Sequence, residues 1–297
     1  MNFNKELDEK VKKVNDLLES VLSVNTGLSE YLMDAMRYSV MGSGKRLRPI
    51  LMEETAELFA GDAPELPYFM AAIELIHSYS LVHDDMPCID NDEYRRGRKT
   101  THAVYGETTA LLAGDGLLNY AYETATMAFK DTHDPVKVGK ALRILTQKAG
   151  IFGMVGGQAV DVDVEKTGSE LTKEKLLYIH ENKTGALIEA SMMIGGILAG
   201  AEDSDIKKLE EAALAIGIAF QIRDDILDVV GTFEELGKPI GSDKENEKDT
   251  YVTLFGFEKA KEDVEKYSEK AINILNSFDK KNEFLICLVE SLISRNR

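Results

Sequence analysis

The sequence predicts an all-α protein, and three observations carry that expectation. Only six prolines occur in 297 residues, and none lies between Val136 and Lys238. Within that span the chain keeps the three-and-four spacing of a helix face, as at Leu176, Ile179, His180, Lys183 and Leu187. Period-2 alternation rich in Val, Ile and Thr is scarce, and there is no Asn-Gly or Asp-Gly hairpin signal, so a sheet has little support.

With 44% apolar residues the chain can bury a sizeable core. No repeat or linker interrupts it, so residues 1–297 read as a single domain. Lys and Arg number 35 against 52 Asp and Glu, a net charge of −17. That balance argues against a general nucleic-acid or anionic-membrane binder, and an anionic substrate would need locally concentrated cations. Cys88 and Cys287 lack metal-ligand spacing, which points away from zinc or a disulfide framework and toward a reducing compartment.

From the N-terminus onward, Met1 to Val14 mixes charged and apolar residues without a signal-peptide core, so a cytoplasmic location is expected. Gly42-Ser43-Gly44 is a flexible turn leading into Lys45, Arg46 and Arg48, with Pro49 acceptable in the first turn of a following helix. Phosphate binding is a natural use of these cations. Lys45 and Arg48 would share a face on a helical turn, whereas Arg46 points elsewhere and reads as structural. The segment lacks P-loop spacing.

Turn chemistry at Gly61 to Pro67 precedes an apolar helical stretch, Met70 to Val82, which Pro87 should stop. Asp84 and Asp85 then fall on its last turn, where the helix C-terminus adds partial negative charge, and Asp90 can fold back from the loop. His77 lies two turns before Asp84 on the same face; alone, it reads as a core histidine. Oxygen-only ligands favour Mg²⁺ over zinc. Arg95 and Arg96 beside this cluster are either charge compensation or forks for phosphate oxygens.

Further breaks are read at Asp131 to Pro135, Thr167 to Ser169 and Glu202 to Ser204. Ala190 to Ala201 is apolar but short of the ~20 residues a spanning helix needs, so it reads as a buried core helix and no membrane insertion is expected. Gln221, Asp224 and Asp228 project from one face of a helix beside a second acidic pair, Asp224-Asp225, and their apolar surroundings demand that the carboxylates be neutralised. Lys183 and Thr184, with Lys238 and Lys248 in the polar stretch Gly231 to Thr250, complete a set of scattered donors. That stretch is either a mobile lid or a plain surface loop. Two acidic segments with cations nearby suit a diphosphate bridged by metal.

With these residues in hand, the sequence resembles the trans-isoprenyl diphosphate synthases, in particular the bacterial farnesyl diphosphate synthases. The markers are Gly44 to Pro49, the first Asp-rich motif with four residues between Asp85 and Asp90, Arg95-Arg96-Gly97, Gly156-Gly157-Gln158 to Asp161, and Lys183-Thr184-Gly185. They continue through Phe220-Gln221 to Asp228, Leu236-Gly237-Lys238 and the terminal Arg-Asn-Arg. The resemblance implies a single-domain isoprenoid-synthase helical bundle around a central cavity, a homodimer, and three Mg²⁺ ions.

It further implies that Asp84, Asp90 and Asp224 are metal ligands with Asp85, Asp225 and Asp228 assisting. Arg95, Lys183, Thr184, Gln221, Lys238 and Lys248 would address the allylic diphosphate, while Lys45, Arg48, His77 and Arg96 would hold isopentenyl diphosphate. Asp84, Asp85, Asp90, Arg95, Lys183 and Asp224 are the expected catalytic set. Tyr79 and Ser80, five and four residues before the motif, shape the floor for the growing chain. A bulky Tyr79 favours stopping at fifteen carbons. Cys88 to Asp92 looks like twenty-carbon, geranylgeranyl-forming relatives, so that product is the alternative.

Three other readings compete. A terpene cyclase would carry an Asn/Ser/Glu triad in place of the second acidic run. A phosphohydrolase built on His83-Asp84 requires further histidines, and none of the five in the chain is arranged to complete such a site. A non-catalytic subunit would usually have lost one Asp motif, and both are intact.

Overall fold

The computed structural model describes residues 2–42, 44–230 and 250–293. Over these the chain is helical apart from one short hairpin, so the all-α expectation holds. It divides into two compact units, Met1–Glu53 with Gly61–Leu142 and Glu54–Ala60 with Arg143–Arg297. The segment 231–249, with Lys238 and Lys248, and the terminal Arg-Asn-Arg lie outside the described residues.

The first unit begins with α1 (Phe3–Leu22), whose N-cap Asn2 side chain accepts the Lys5 N–H at 3.2 Å. Val14, Leu18 and Leu22 recur at four-residue spacing and are fully buried. Helices α2 (Glu30–Val40) and α3 (Leu47–Ala56) follow, then α4 (Leu66–Asp84). Pro67 sits in the first turn of α4, where no main-chain donor is needed, and the helix ends at Asp84, before Pro87. Past the hairpin come α5 (Thr101–Tyr105) and α6 (Glu107–Met127).

Helix α6 packs on α4 through Ala110, Ala113, Gly114, Leu117, Ala121 and Ala125. This face is made almost wholly of small residues, which lets the two helices approach closely. At the tightest point a Cβ on Gly114 would stand 2.0 Å from His83 Nε2. The C-terminal end of α4, which carries the first acidic pair, is thereby fixed.

The hairpin was not expected. Tyr94–Arg95 (β1) pairs antiparallel with Arg98–Lys99 (β2). The turn between them has Arg96 at φ 53° and Gly97 at φ 75°, the two positive values of a type I′ connection. Arg-Gly here does what Asn-Gly more commonly does. The strain of a left-handed arginine is offset by the hairpin's grip on both flanking residues.

Helix α7 (Pro135–Ala149) leads into the second unit, followed by α8 (Met154–Thr167), α9 (Lys173–Ile179), α10 (Ala186–Leu198) and α11 (Asp203–Val230). After the undescribed segment come α12 (Tyr251–Phe255), α13 (Phe257–Leu275) and α14 (Glu283–Ile293). The starts of α7 and α11 and the end of α8 fall at the breaks read from turn chemistry. Every residue of α10 is buried, as its apolar sequence requires, and it packs on α11, which packs in turn on α13. No helix among the described residues is long and apolar enough to cross a membrane.

The chain does not stop between α9 and α10. His180–Gly185 forms a π-helical turn that joins them. The regular spacing from Leu176 to Leu187 suggested one uninterrupted α-helix. The wider turn adds a residue, so Lys183 lies within it and not on the regular α-helical face the spacing suggested.

Candidate active site

In the first unit, Asp84 is the last residue of α4 and Asp85 its C-cap. The following loop folds back as expected: the Asp90 N–H donates to the Asp84 carbonyl at 2.9 Å, and the Asp92 N–H to the Asp85 carbonyl at 3.2 Å. Arg95 reaches in from β1, its Nε donating to Asp85 Oδ1 at 2.6 Å. Burial holds the Asp85 carboxyl above the usual carboxylate range; Arg95 opposes that shift, and the neighbouring Asp92 and Asp90 charges add to it.

Asp85 also lines a cationic pocket, together with His77, Glu74, Arg46, Arg95, Arg96 and Arg98. Arg46 is buried and makes four hydrogen bonds. It donates to Asn15 Oδ1 at 2.8 Å, Glu74 Oε1 at 2.9 Å, the Val40 carbonyl at 2.8 Å and the Gly42 carbonyl at 3.2 Å. It is the structural arginine of the Lys45-Arg46-Leu47-Arg48 run, as its position suggested.

Arg48 differs. Burial pushes its guanidinium down to about 10, with Glu74 opposing and Arg96 adding to the shift, and its Nε has no hydrogen-bond partner among the described residues. Partial burial and the Arg95 charge likewise lower Arg96. Burial first, then Arg48, Arg96, Arg95 and Arg46, hold the His77 imidazole well below its ordinary range and so neutral. This crowding of cations is what an anion would relieve. Lys45 is exposed and precedes α3, so it shares the Gly44–Arg48 turn with Arg48 but no helical face.

In the second unit the π-helical turn carries Lys183 and Thr184. Lys183 Nζ donates to Asp161 Oδ2 at 2.5 Å, and Thr184 Oγ1 donates to Gln221 Oε1 at 2.7 Å. Two glycines clamp the turn from opposite helices. A Cβ on Gly157 of α8 would stand 2.2 Å from the Lys183 backbone nitrogen, and one on Gly217 of α11 would stand 2.7 Å from the Gly185 Cα. Gly157 of the Gly156-Gly157-Gln158 marker is thus a packing residue, and Asp161, 22 residues before Lys183, is the counter-charge of Lys183. No spacing rule links the two in sequence.

Gln221, Asp224 and Asp228 share one helix, α11, as their spacing required. Asp228 is buried, whereas Asp224 and Asp225 are half-buried. Asp225 turns away from the row: its Oδ2 accepts the Tyr251 N–H at 2.7 Å and lies 3.7 Å from His180 Nε2. Sequence reasoning assigned no part to Tyr251 or His180.

The match to a family model decides where these features belong. The polyprenyl synthetase model matches residues 29–288. The chain belongs to the polyprenyl synthetase family. A farnesyl diphosphate synthase of Geobacillus stearothermophilus is 41% identical over 94% of this chain and 97% of its own. A geranylgeranyl diphosphate synthase of Cyanophora paradoxa is 40% identical over 99% and 98%. A crystal structure of a geranyltransferase from Helicobacter pylori, complexed with magnesium and isoprenyl diphosphate, superposes with a TM-score of 0.82 at 31% identity, covering 99% of this chain and 97% of that one.

As a polyprenyl synthetase with the isoprenyl-synthase fold, the protein is a prenyltransferase that elongates isoprenyl diphosphates. Its acidic residues fit Mg²⁺: they offer oxygen only, the ligand type a hard cation takes. No three acidic, His or Cys groups among the described residues gather into a metal cage. Upstream on α4, Tyr79 is 6% exposed, with its ring edge-on to His83 at 5.8 Å. Ser80 turns back into the helix, donating to the His77 carbonyl at 2.9 Å.

Proposed function

We propose that this polyprenyl synthetase condenses isopentenyl diphosphate with dimethylallyl or geranyl diphosphate and stops at farnesyl diphosphate. The observation that carries the reading is the cationic pocket lined by His77, Arg46, Arg95, Arg96 and Arg98 beside the acidic end of α4, with Arg48 near enough for its charge to bear on the His77 imidazole. A single-substrate enzyme that acts on an allylic diphosphate has no need of such a second anion site. On this reading Lys45, Arg48, His77 and Arg96 hold isopentenyl diphosphate. Arg95, Lys183, Thr184 and Gln221 address the allylic diphosphate, with Lys238 and Lys248.

Asp84, Asp90 and Asp224 would hold the metal, with Asp85 and Asp228 assisting; when bound, Mg²⁺ draws negative charge onto the departing diphosphate. Arg95 and Lys183 hold the leaving group by charge-assisted hydrogen bonds as the allylic C–O bond breaks, with both electrons going to diphosphate. The double bond of isopentenyl diphosphate attacks the resulting carbocation and a new C–C bond forms. A proton then leaves the adjacent carbon for the released diphosphate. His77, held neutral, donates a hydrogen bond without adding a further charge to the crowded arginines. No side-chain nucleophile takes part.

Tyr79 favours a fifteen-carbon product because its buried ring fills the side of α4 one turn above Asp84. The alternative twenty-carbon product is favoured by the Cys88 to Asp92 segment and by the likeness to the geranylgeranyl diphosphate synthase of Cyanophora paradoxa. The same reading makes the protein a cytoplasmic homodimer with one domain over 1–297. Asp84→Ala and Asp224→Ala are the test: each should cut Mg²⁺-dependent turnover by about a hundredfold or more with the circular dichroism spectrum unchanged. Near-normal rates in either variant would remove that residue from the metal site.

A further inference from the structure

Three aromatic rings stack in a column in the second unit. The His180 and Tyr251 rings lie 6.1 Å apart at 21°, and the Tyr251 and Phe255 rings 4.3 Å apart at 18°. Lys173 Nζ caps the column 4.5 Å above Phe255. Lys173 opens α9 and His180 follows its last residue, so the seven-residue helix leading to the π-helical turn is held at both ends by one column.

The column is tied down at its middle ring. The Tyr251 hydroxyl donates to Asp263 Oδ2 at 2.9 Å, and Lys259 Nζ donates to Asp263 Oδ1 at 2.8 Å. The Tyr251 N–H donates to Asp225 Oδ2, the same oxygen that lies 3.7 Å from His180 Nε2. A π-helical turn depends on its surroundings more than an α-helix does. Here those surroundings are Gly157 and Gly217 on two sides and this column at its start.

We propose that Tyr251 is a positioning residue: by stacking on His180 and bonding Asp225, it holds the turn bearing Lys183 and Thr184 in register with the acidic row of α11. The proposal rests on the reading of Lys183 and Thr184 as ligands of the allylic diphosphate. Tyr251 does not touch substrate; it acts through His180. Asp225 serves as the anchor, which distinguishes it from its neighbours Asp224 and Asp228.

Steady-state kinetics of the full chain with Mg²⁺, geranyl diphosphate and isopentenyl diphosphate test this. Tyr251→Leu should raise KM for geranyl diphosphate about tenfold or more, leaving KM for isopentenyl diphosphate within about twofold. Tyr251→Phe, which keeps the ring that Tyr251→Leu removes, should restore the wild-type ratio. His180→Leu removes the same contact from the other ring and should give the same split, so it carries the test if Tyr251→Leu does not fold. Equal changes in both KM values, or a lowered Tm with neither changed, would overturn the proposal. Lys183→Ala separates the two ideas. If it leaves KM for geranyl diphosphate unchanged, the ligand reading fails and the proposal with it; if it raises that KM while Tyr251→Leu does not, the proposal alone fails.

Discussion

Gly157 and Lys183 meet main chain to main chain, with room for no side chain between them: a Cβ on Gly157 would stand 2.2 Å from the Lys183 nitrogen. Gly157→Ala should therefore push the turn out of place, costing about 1–3 kcal/mol of stability and lowering kcat/KM well beyond what that loss explains. Gly139 is the control, because nothing lies within 4 Å of a Cβ built there. Gly139→Ala in α7 should stabilise by up to about 1 kcal/mol and leave activity alone. Urea unfolding and initial rates on both variants decide the matter.

Arg46 and Arg48 are two residues apart and should fail in opposite ways. Arg46→Ala strands Glu74, buried and bonded to it at 2.9 Å, and should cost about 3–5 kcal/mol in chemical denaturation. Arg48→Ala removes a crowded cation instead. It should change stability by less than about 1 kcal/mol while raising KM for isopentenyl diphosphate by about tenfold or more. The reverse pattern would mean that the structural and binding roles have been exchanged.

His77 makes a pH prediction. Its folded-state pKa lies well below the ordinary histidine value of 6.5, through burial first and then the arginines around it. Between those two values the unfolded chain binds the extra proton, so this contribution is present in full above 6.5 and is lost as pH falls through that value toward the folded one. The expected slope approaches about 1.4 kcal/mol per pH unit. The difference in urea stability between wild type and His77→Gln isolates it, since the carboxylate contributions are common to both proteins. A difference that does not vary with pH would show that His77 is not held neutral.

Much of this arrangement was legible in sequence because it rests on local rules. Pro87 stops α4, Asp90 folds back onto Asp84, and Gln221, Asp224 and Asp228 share a helix, all from spacing and backbone chemistry. The structural part of Arg46 was visible in its offset from Lys45 and Arg48. The π-helical turn was not, because one extra residue leaves the apolar pattern on both sides intact. The hairpin escaped because Arg96 adopts a left-handed conformation that the sequence signals for Asn or Gly. Asp161 with Lys183, and Tyr251 with His180, are tertiary pairs that no spacing rule connects.

Among possible measurements, product analysis bears most directly on the proposed activity. Purified protein with Mg²⁺, geranyl diphosphate and labelled isopentenyl diphosphate should yield farnesyl diphosphate as the terminal product. Chains running on to twenty carbons would contradict the part assigned to the buried Tyr79 ring, and no prenyl product at all would contradict the elongating activity itself.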